Sequence, residues 1–241
     1  MNNDTFSPEE ELLRKTRSRK LITYLIVFAI VMFFAGLTSA YVVSMSGGYW
    51  VEITLPKAFY VSTVAILLSS VFAQLALMSA RSGAFKRIAP LLVLTLVLGG
   101  VFSWSQFQGW KELISKGQFA VGRMAQASGV YGKDYTILRQ GEPLILDNGS
   151  YFAASDETRA KPLNADIDEQ KNTASSYLYV LTAAHLAHLA FGLLSLLVMV
   201  LRASMGRYLQ NDHAGLWAGT VYWHFLGGLW VYLLLFLLFV H

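Results

Sequence analysis

Residues 21–44, LITYLIVFAIVMFFAGLTSAYVVS, hold no charged side chain. A helix rises about 1.5 Å per residue, so the run is long enough to cross a hydrocarbon core that needs about 20 apolar residues. A basic cluster of Arg14, Lys15, Arg17, Arg19 and Lys20 stands directly before it, behind the acidic Asp4, Glu9, Glu10 and Glu11. A secretory signal has a shorter apolar core and a small-residue cleavage site. Thr38-Ser39-Ala40 are small enough for cleavage, but the length of the run makes it a first transmembrane helix rather than a leader.

Four further runs share this character. They cover Ala58–Ala80, Ile88–Trp110, Ser175–Leu201 and Gly215–Val240. Pro56 stands at the start of the second, where a missing N–H costs nothing, and Lys57 at the same edge can snorkel to the interface. Short basic stretches at Arg81–Arg87 and Arg202/Arg207 separate spans, and a long polar stretch, Lys111–Asn172, precedes the fourth. The sequence therefore predicts an all-α integral membrane protein, a five-transmembrane-helix bundle with a long extracytoplasmic loop. Residues 1–20 form a cytoplasmic N-terminal segment and 21–110 carry helices 1–3. Residues 111–173 form a periplasmic loop, and 174–241 carry helices 4 and 5. The three basic stretches fall on one side of an alternating five-helix chain. The positive-inside rule makes that side cytoplasmic, with the C-terminus on the other. Within the long loop, Leu144-Ile145-Leu146 and Tyr151-Phe152 flank Asp147-Asn148-Gly149, a hairpin signature.

Composition agrees and excludes several classes. Only 14% of the 241 residues are charged, against about a quarter in soluble domains. There is no cysteine, which removes disulfides, thiolate metal sites and cysteine-ligated clusters. A net charge of +4, gathered beside the apolar runs, gives no basic face for nucleic acid. No Asp, Glu, Lys or Arg lies inside any span. Ion and proton pathways accept the cost of such residues because function needs them, so their lack weighs against a channel or carrier.

Polar residues within the spans have competing readings. His185 and His188 are three apart on one helix face, and His224 lies in Tyr222-Trp223-His224-Phe225. Three imidazoles on facing helices could hold a haem or a metal. The alternative is that they are neutral packing residues or lipid contacts, with no in-membrane carboxylate to orient a liganded ring. Ser103 and Ser105 supply hydroxyls without a nucleophile motif; such groups bond across helices or to their own backbone. Ala35-Gly36, Ser39-Ala40, Gly99-Gly100 and Gly227-Gly228 allow close helix packing. Trp104, Gln106, Gln108 and Trp110 are expected to form an interfacial belt.

Several of these stretches together resemble a known family. Met32-Phe33-Phe34-Ala35-Gly36-Leu37-Thr38-Ser39-Ala40-Tyr41 resembles the first common helix of cytochrome c oxidase subunit III. Leu55-Pro56 with Ile66-Leu67-Leu68-Ser69-Ser70 resembles the next, and Leu98-Gly99 with Phe102, Gln106 and Gly109-Trp110 the third. Gly129-Val130-Tyr131-Gly132 is similar to a loop motif of the family. Thr182-Ala183-Ala184-His185-Leu186-Ala187-His188 with Gly192, and Tyr222-Trp223-His224-Phe225 with Trp230, resemble its last two helices.

The resemblance implies a non-catalytic subunit of a respiratory haem–copper terminal oxidase in the bacterial inner membrane. It would pack directly against subunit I, near subunit II and other respiratory complexes, and would bind phospholipids while sustaining proton uptake and complex stability. Haems and copper are expected in partner subunits, with no catalytic residue, cofactor or metal in this chain. By position in the motifs, His185, His188, Trp223 and His224 are expected as lipid or packing contacts. Quinol oxidases and nitric oxide reductase accessory subunits share the motifs and remain alternatives, as does a haem-binding membrane cytochrome using the three histidines. Ile30 stands where the family often has Glu, Gly227 where it often has Asp, and Ala183 where it usually has Gly. Compared with the long forms, the chain resembles a short five-helix form lacking two N-terminal helices. Residues 136–172 look like an insertion, a docking surface in expectation.

Overall fold

In the computed structural model, the structure describes residues 8–208 and 214–240. The order is α1 (Pro8–Met45), β1 (Tyr49–Ile53), α2 (Lys57–Arg81), α3 (Ile88–Ser115), β2 (Tyr135–Arg139), β3 (Glu142–Pro143), β4 (Ile145–Asp147), β5 (Ser150–Phe152), α4 (Asn164–Glu169), α5 (Thr173–Ser204) and α6 (Ala214–Phe239). Among the described residues five helices are long and apolar enough to cross a membrane, so the protein is a multi-pass helical bundle. Four of the five helices overrun their apolar stretch. α1 begins at Pro8, so the basic cluster rides on the same helix as the first span, and α3 continues five residues past Trp110 to Ser115.

Contacts group the chain into two units, and helices contribute to both. The first takes residues up to Phe33, Val64–Val101 and Ala187–Leu229; the second takes Phe34–Thr63, Phe102–Leu186 and Trp230 onward.

In the first unit, α6 packs on α3 and α5 through residues that lack bulk. An added Cβ at Gly99 would come within 2.7 Å of Leu193 and 2.8 Å of Trp223. At Gly192 it would meet Leu226 at 2.9 Å. Trp223 is fully buried in that space. Its indole Nε1 donates to Ser69 Oγ at 2.9 Å, while Ser69 donates its own hydrogen to the Ile66 carbonyl at 2.7 Å. The hydroxyl is thus oriented by its own helix, leaving lone pairs for the tryptophan.

The second unit repeats the device around Trp230. Nε1 of Trp230 donates to Thr63 Oγ1 at 2.9 Å, and Thr63 donates to the Phe59 carbonyl at 2.7 Å. Edge-to-face contacts with Phe59 and Phe102, at 5.6 and 5.2 Å between centroids, enclose the ring, a geometry aromatic pairs favour. The expected belt is only partly present. Trp104 is exposed beneath Lys111. Gln106, by contrast, is buried and donates through Nε2 to Ser62 Oγ at 2.9 Å, and Trp110 donates to Thr182 Oγ1 at 3.1 Å.

Also in the second unit, the connections between spans fold into a cap. β1, from the α1–α2 connection, pairs antiparallel with β2, Trp50 opposite Leu138 and Glu52 opposite Thr136. β3 extends the sheet in the order β1-β2-β3. The expected hairpin forms as β4 and β5, with Leu146 opposite Tyr151. Asn148 and Gly149, at φ 49° and 81°, supply the two positive φ values of a type I′ turn. Asn164 holds the hairpin, accepting from Tyr151 N at 2.8 Å and donating to the Gly149 carbonyl at 3.0 Å. After α3, Gly117 at φ +69° turns the chain where any Cβ would strike the Gln126 carbonyl oxygen. Asn172 starts α5, its Oδ1 accepting from Ser175 N at 3.0 Å and its Nδ2 donating to Gln118 Oε1 at 2.7 Å. This is an N-cap tied to the preceding loop.

Candidate functional site

The four residues singled out in the sequence do not form one cluster. His185 belongs to the second unit and is fully buried, its ring 5.7 Å from Phe102 and 5.4 Å from Trp230. His188, Trp223 and His224 belong to the first unit. Trp223 fills the space left by the glycines. His224 faces α2, where Nε2 donates to Gln74 Oε1 at 3.2 Å and Nδ1 lies 3.1 Å from Ser70 Oγ. Both of its ring nitrogens are engaged by neutral side chains. Among the described residues no group of three or more His, Cys, Asp or Glu side chains could hold a metal ion. His213 and His241 lie outside the described residues.

His188 borders a cavity. Within the first unit, α1, α5 and α6 enclose about 560 Å3, bordered by Ile26 and Ile30 of α1, His188, Phe191 and Ser195 of α5, and Gly219 and Tyr222 of α6. Ile30 puts an alkyl group where a carboxylate would charge this space. Small side chains help to make the room: Ala29, Gly215, Ala218 and Gly219 all line it. Tyr222 donates to the His188 carbonyl at 3.1 Å, and the His188 ring lies 6.0 Å from Phe33. Among the described residues the lining is thus mainly apolar with a few hydroxyls and one imidazole, the usual make-up of a small-molecule site of about 300–1,000 Å3.

A second cavity of about 200 Å3 shares Gly215 with the first and is lined by Arg19, Arg202, Arg207 and Tyr208. Close by on the same helices, Lys20 lies over the Trp217 ring at 5.5 Å, and Tyr24 meets Trp217 edge-on at 5.9 Å. Aromatic and basic residues of this kind mark a membrane–water interface. One end of the apolar cavity therefore adjoins three guanidinium groups at headgroup level. Such groups bind phosphate oxygens through paired N–H donors.

The sequence reading used Arg19, Arg202 and Arg207 for orientation and missed their convergence. One signal was present: His188, Ser195 and Arg202 recur every seven residues, hence on one face of α5. Arg19 and Arg207 carried no such signal, because their approach depends on how α1 and the start of α6 pack.

Comparison with known proteins follows the same lines. Residues 163–241 match the family model described as cytochrome c oxidase subunit III. The chain is 23% identical to a protein named cytochrome c oxidase subunit 3 from Corynebacterium diphtheriae, over 99% of this chain and 97% of that protein. It is 40% identical to one of the same name from Synechocystis over 63 residues, 26% of this chain and 27% of that protein.

Proposed function

We propose that this chain, a member of the cytochrome c oxidase subunit III family, is the non-catalytic subunit of a respiratory terminal oxidase that holds phospholipid against its partner. It packs on subunit I, which carries the haems and copper together with subunit II and receives electrons from cytochrome c. The names borne by both relatives favour cytochrome c over a quinol as donor. The N-terminus and the Arg cavity face the cytoplasm of the bacterial inner membrane, and the strands face the periplasm. The observation that carries the reading is the apolar cavity joined at Gly215 to the three-arginine cavity.

The chemistry of the site follows from that junction. An acyl chain buried along Ile26, Ile30 and Phe191 gains roughly 0.8 kcal/mol per CH2 removed from water, while Arg19, Arg202 and Arg207 take the phosphate. His188 and Tyr222 sit between, at the depth of the glycerol esters. A lipid so held closes this side of the bundle to water and keeps the subunit rigid beside the proton-uptake path of its neighbour. His185, Trp223 and His224 keep the helices in place around that lipid.

Affinity purification of the chain in mild detergent tests the subunit reading. A haem-bearing, copper-containing partner is expected to co-purify; recovery of the chain alone, or with subunits that bear no haem, would refute it. For the lipid, Arg202→Glu is expected to lower retained phospholipid by about tenfold, the loss of one charge-assisted phosphate contact. It should also shorten the active lifetime during turnover while the initial rate holds. An unchanged lipid content and lifetime would remove the assignment.

A further inference from the structure

We propose a second, separate lipid site of opposite selectivity: a pocket for a zwitterionic phospholipid headgroup beneath β1, in the leaflet on the side of the strands. The second unit encloses about 310 Å3 there, bordered by Glu52, Thr54, Tyr60, Lys133, Thr136 and Leu238. The contributing elements are β1, the first turn of α2, the turn before β2 and the last turns of α6. α2 begins and α6 ends at this level, so the pocket lies at a membrane surface. Its membrane-side lining is apolar, with Leu55 and Leu237 buried and Leu238 and Tyr60 exposed.

The polar side holds one carboxylate and one ammonium. Among the described residues no ion pair joins Glu52 to Lys133; the pairs present involve other residues. Both are exposed, and their backbones are fixed. Glu52 sits opposite Thr136 in the ladder, and Thr54 Oγ1 donates to the Lys133 carbonyl at 2.6 Å. The turn carrying Lys133 is anchored next door, where Val130 N donates to Asp134 Oδ2 at 2.8 Å and Lys116 pairs with Asp134 at 3.1 Å. Two opposite charges held apart over an apolar floor complement a headgroup that carries phosphate and ammonium on one short chain. An anionic headgroup without an ammonium meets Glu52 unpaired, and a soluble zwitterion leaves Leu237 and Leu238 uncovered. The site differs in kind from the arginine cavity, whose lining among the described residues has three cations and no carboxylate. It rests on the chain spanning a membrane and not on the oxidase reading.

The test uses the full chain, with whatever subunits co-purify, in nonionic detergent. The probes are phosphatidylethanolamine and phosphatidylglycerol with the same photoreactive acyl chain, and adducts are mapped by peptide. Phosphatidylethanolamine is expected to label the peptides of Tyr60 or Leu237–Leu238 about tenfold more than phosphatidylglycerol, the factor a charge-assisted contact supplies. Glu52→Lys should abolish that preference, Lys133→Glu should lower labelling by both lipids, Lys133→Arg should keep labelling and preference, and Arg202→Glu should leave the preference unchanged. Equal labelling by the two lipids, a preference that survives Glu52→Lys, labelling that is indifferent to Lys133→Glu, or no adduct on these peptides would overturn the proposal. A chain that fails to co-purify with haem yet shows the expected labelling would sink the oxidase reading and leave this one standing.

Discussion

Gly99 and Gly100 are adjacent in the chain and opposite in consequence. A Cβ at Gly99 would collide with Leu193 and Trp223, whereas at Gly100 it would meet nothing within 4 Å. The same holds for Gly227, whose Cβ would press on Ser70 at 3.3 Å, and the open Gly228. Gly99→Val is therefore expected to destabilise the bundle by about 1–3 kcal/mol, the cost of overpacking, and Gly100→Ala to change it little. Thermal unfolding of the two variants in detergent checks the contrast; equal effects would mean that Trp223 is not seated against Gly99. The sequence showed that small residues gather here but not which member of each pair faces inward. Consecutive positions differ by about 100° around a helix, and the azimuth is set by partner helices. Gln106 illustrates the same gap. Its depth near Trp104 suggested an interfacial residue, and only its bond to Ser62 shows that it points into the bundle.

At the scale of elements, the five helices were legible because each is a long run without charge, and a bilayer allows few other readings of such a run. The Asn148-Gly149 hairpin was legible because its signal is local. β1 was not, since its five residues pair with a strand more than eighty positions later, and no local pattern announces a partner that distant. The turn before β2 also carries a pH response. Asp134 accepts the Val130 N–H and pairs with Lys116, and these hold its carboxyl below the usual carboxylate value. A depressed pKa means that the stabilisation is fully present above about pH 4 and is lost as pH falls through the lowered value. Limited proteolysis of residues 117–134 is accordingly expected to speed up as the pH drops below about 4, and Asp134→Asn should be fast already at neutral pH. A pH-independent cleavage rate in the native chain would show that this anchor does not hold the turn.

For the whole molecule, direction across the membrane rests on where the basic residues lie. Arg14 to Lys20, Arg81 to Arg87, and Arg202 with Arg207 flank the ends opposite to the strands. The chain has no cysteine, so single cysteines report without background. Val121, 94% exposed after α3, and Lys86, exposed before it, make a matched pair. In right-side-out vesicles, Val121→Cys is expected to react with an impermeant maleimide and Lys86→Cys only after permeabilisation; the reverse pattern would invert the orientation. The grouping of contacts was not readable in the sequence. That grouping cuts through individual helices, because packing partners are chosen level by level along each span.

The β1–β2 ladder sets an order of events during biosynthesis. Tyr49–Ile53 emerges between α1 and α2, yet its partner Tyr135–Arg139 is synthesised only after α3 and the residues that follow it. Throughout that interval a strand bearing Trp50 and Val51 waits with an open hydrogen-bonding edge, the feature that invites pairing with a foreign chain. Slowing the synthesis of the α3–α5 connection thus lengthens the time in which a nascent copy can be captured by its neighbour, and makes the tempo of chain elongation a determinant of yield.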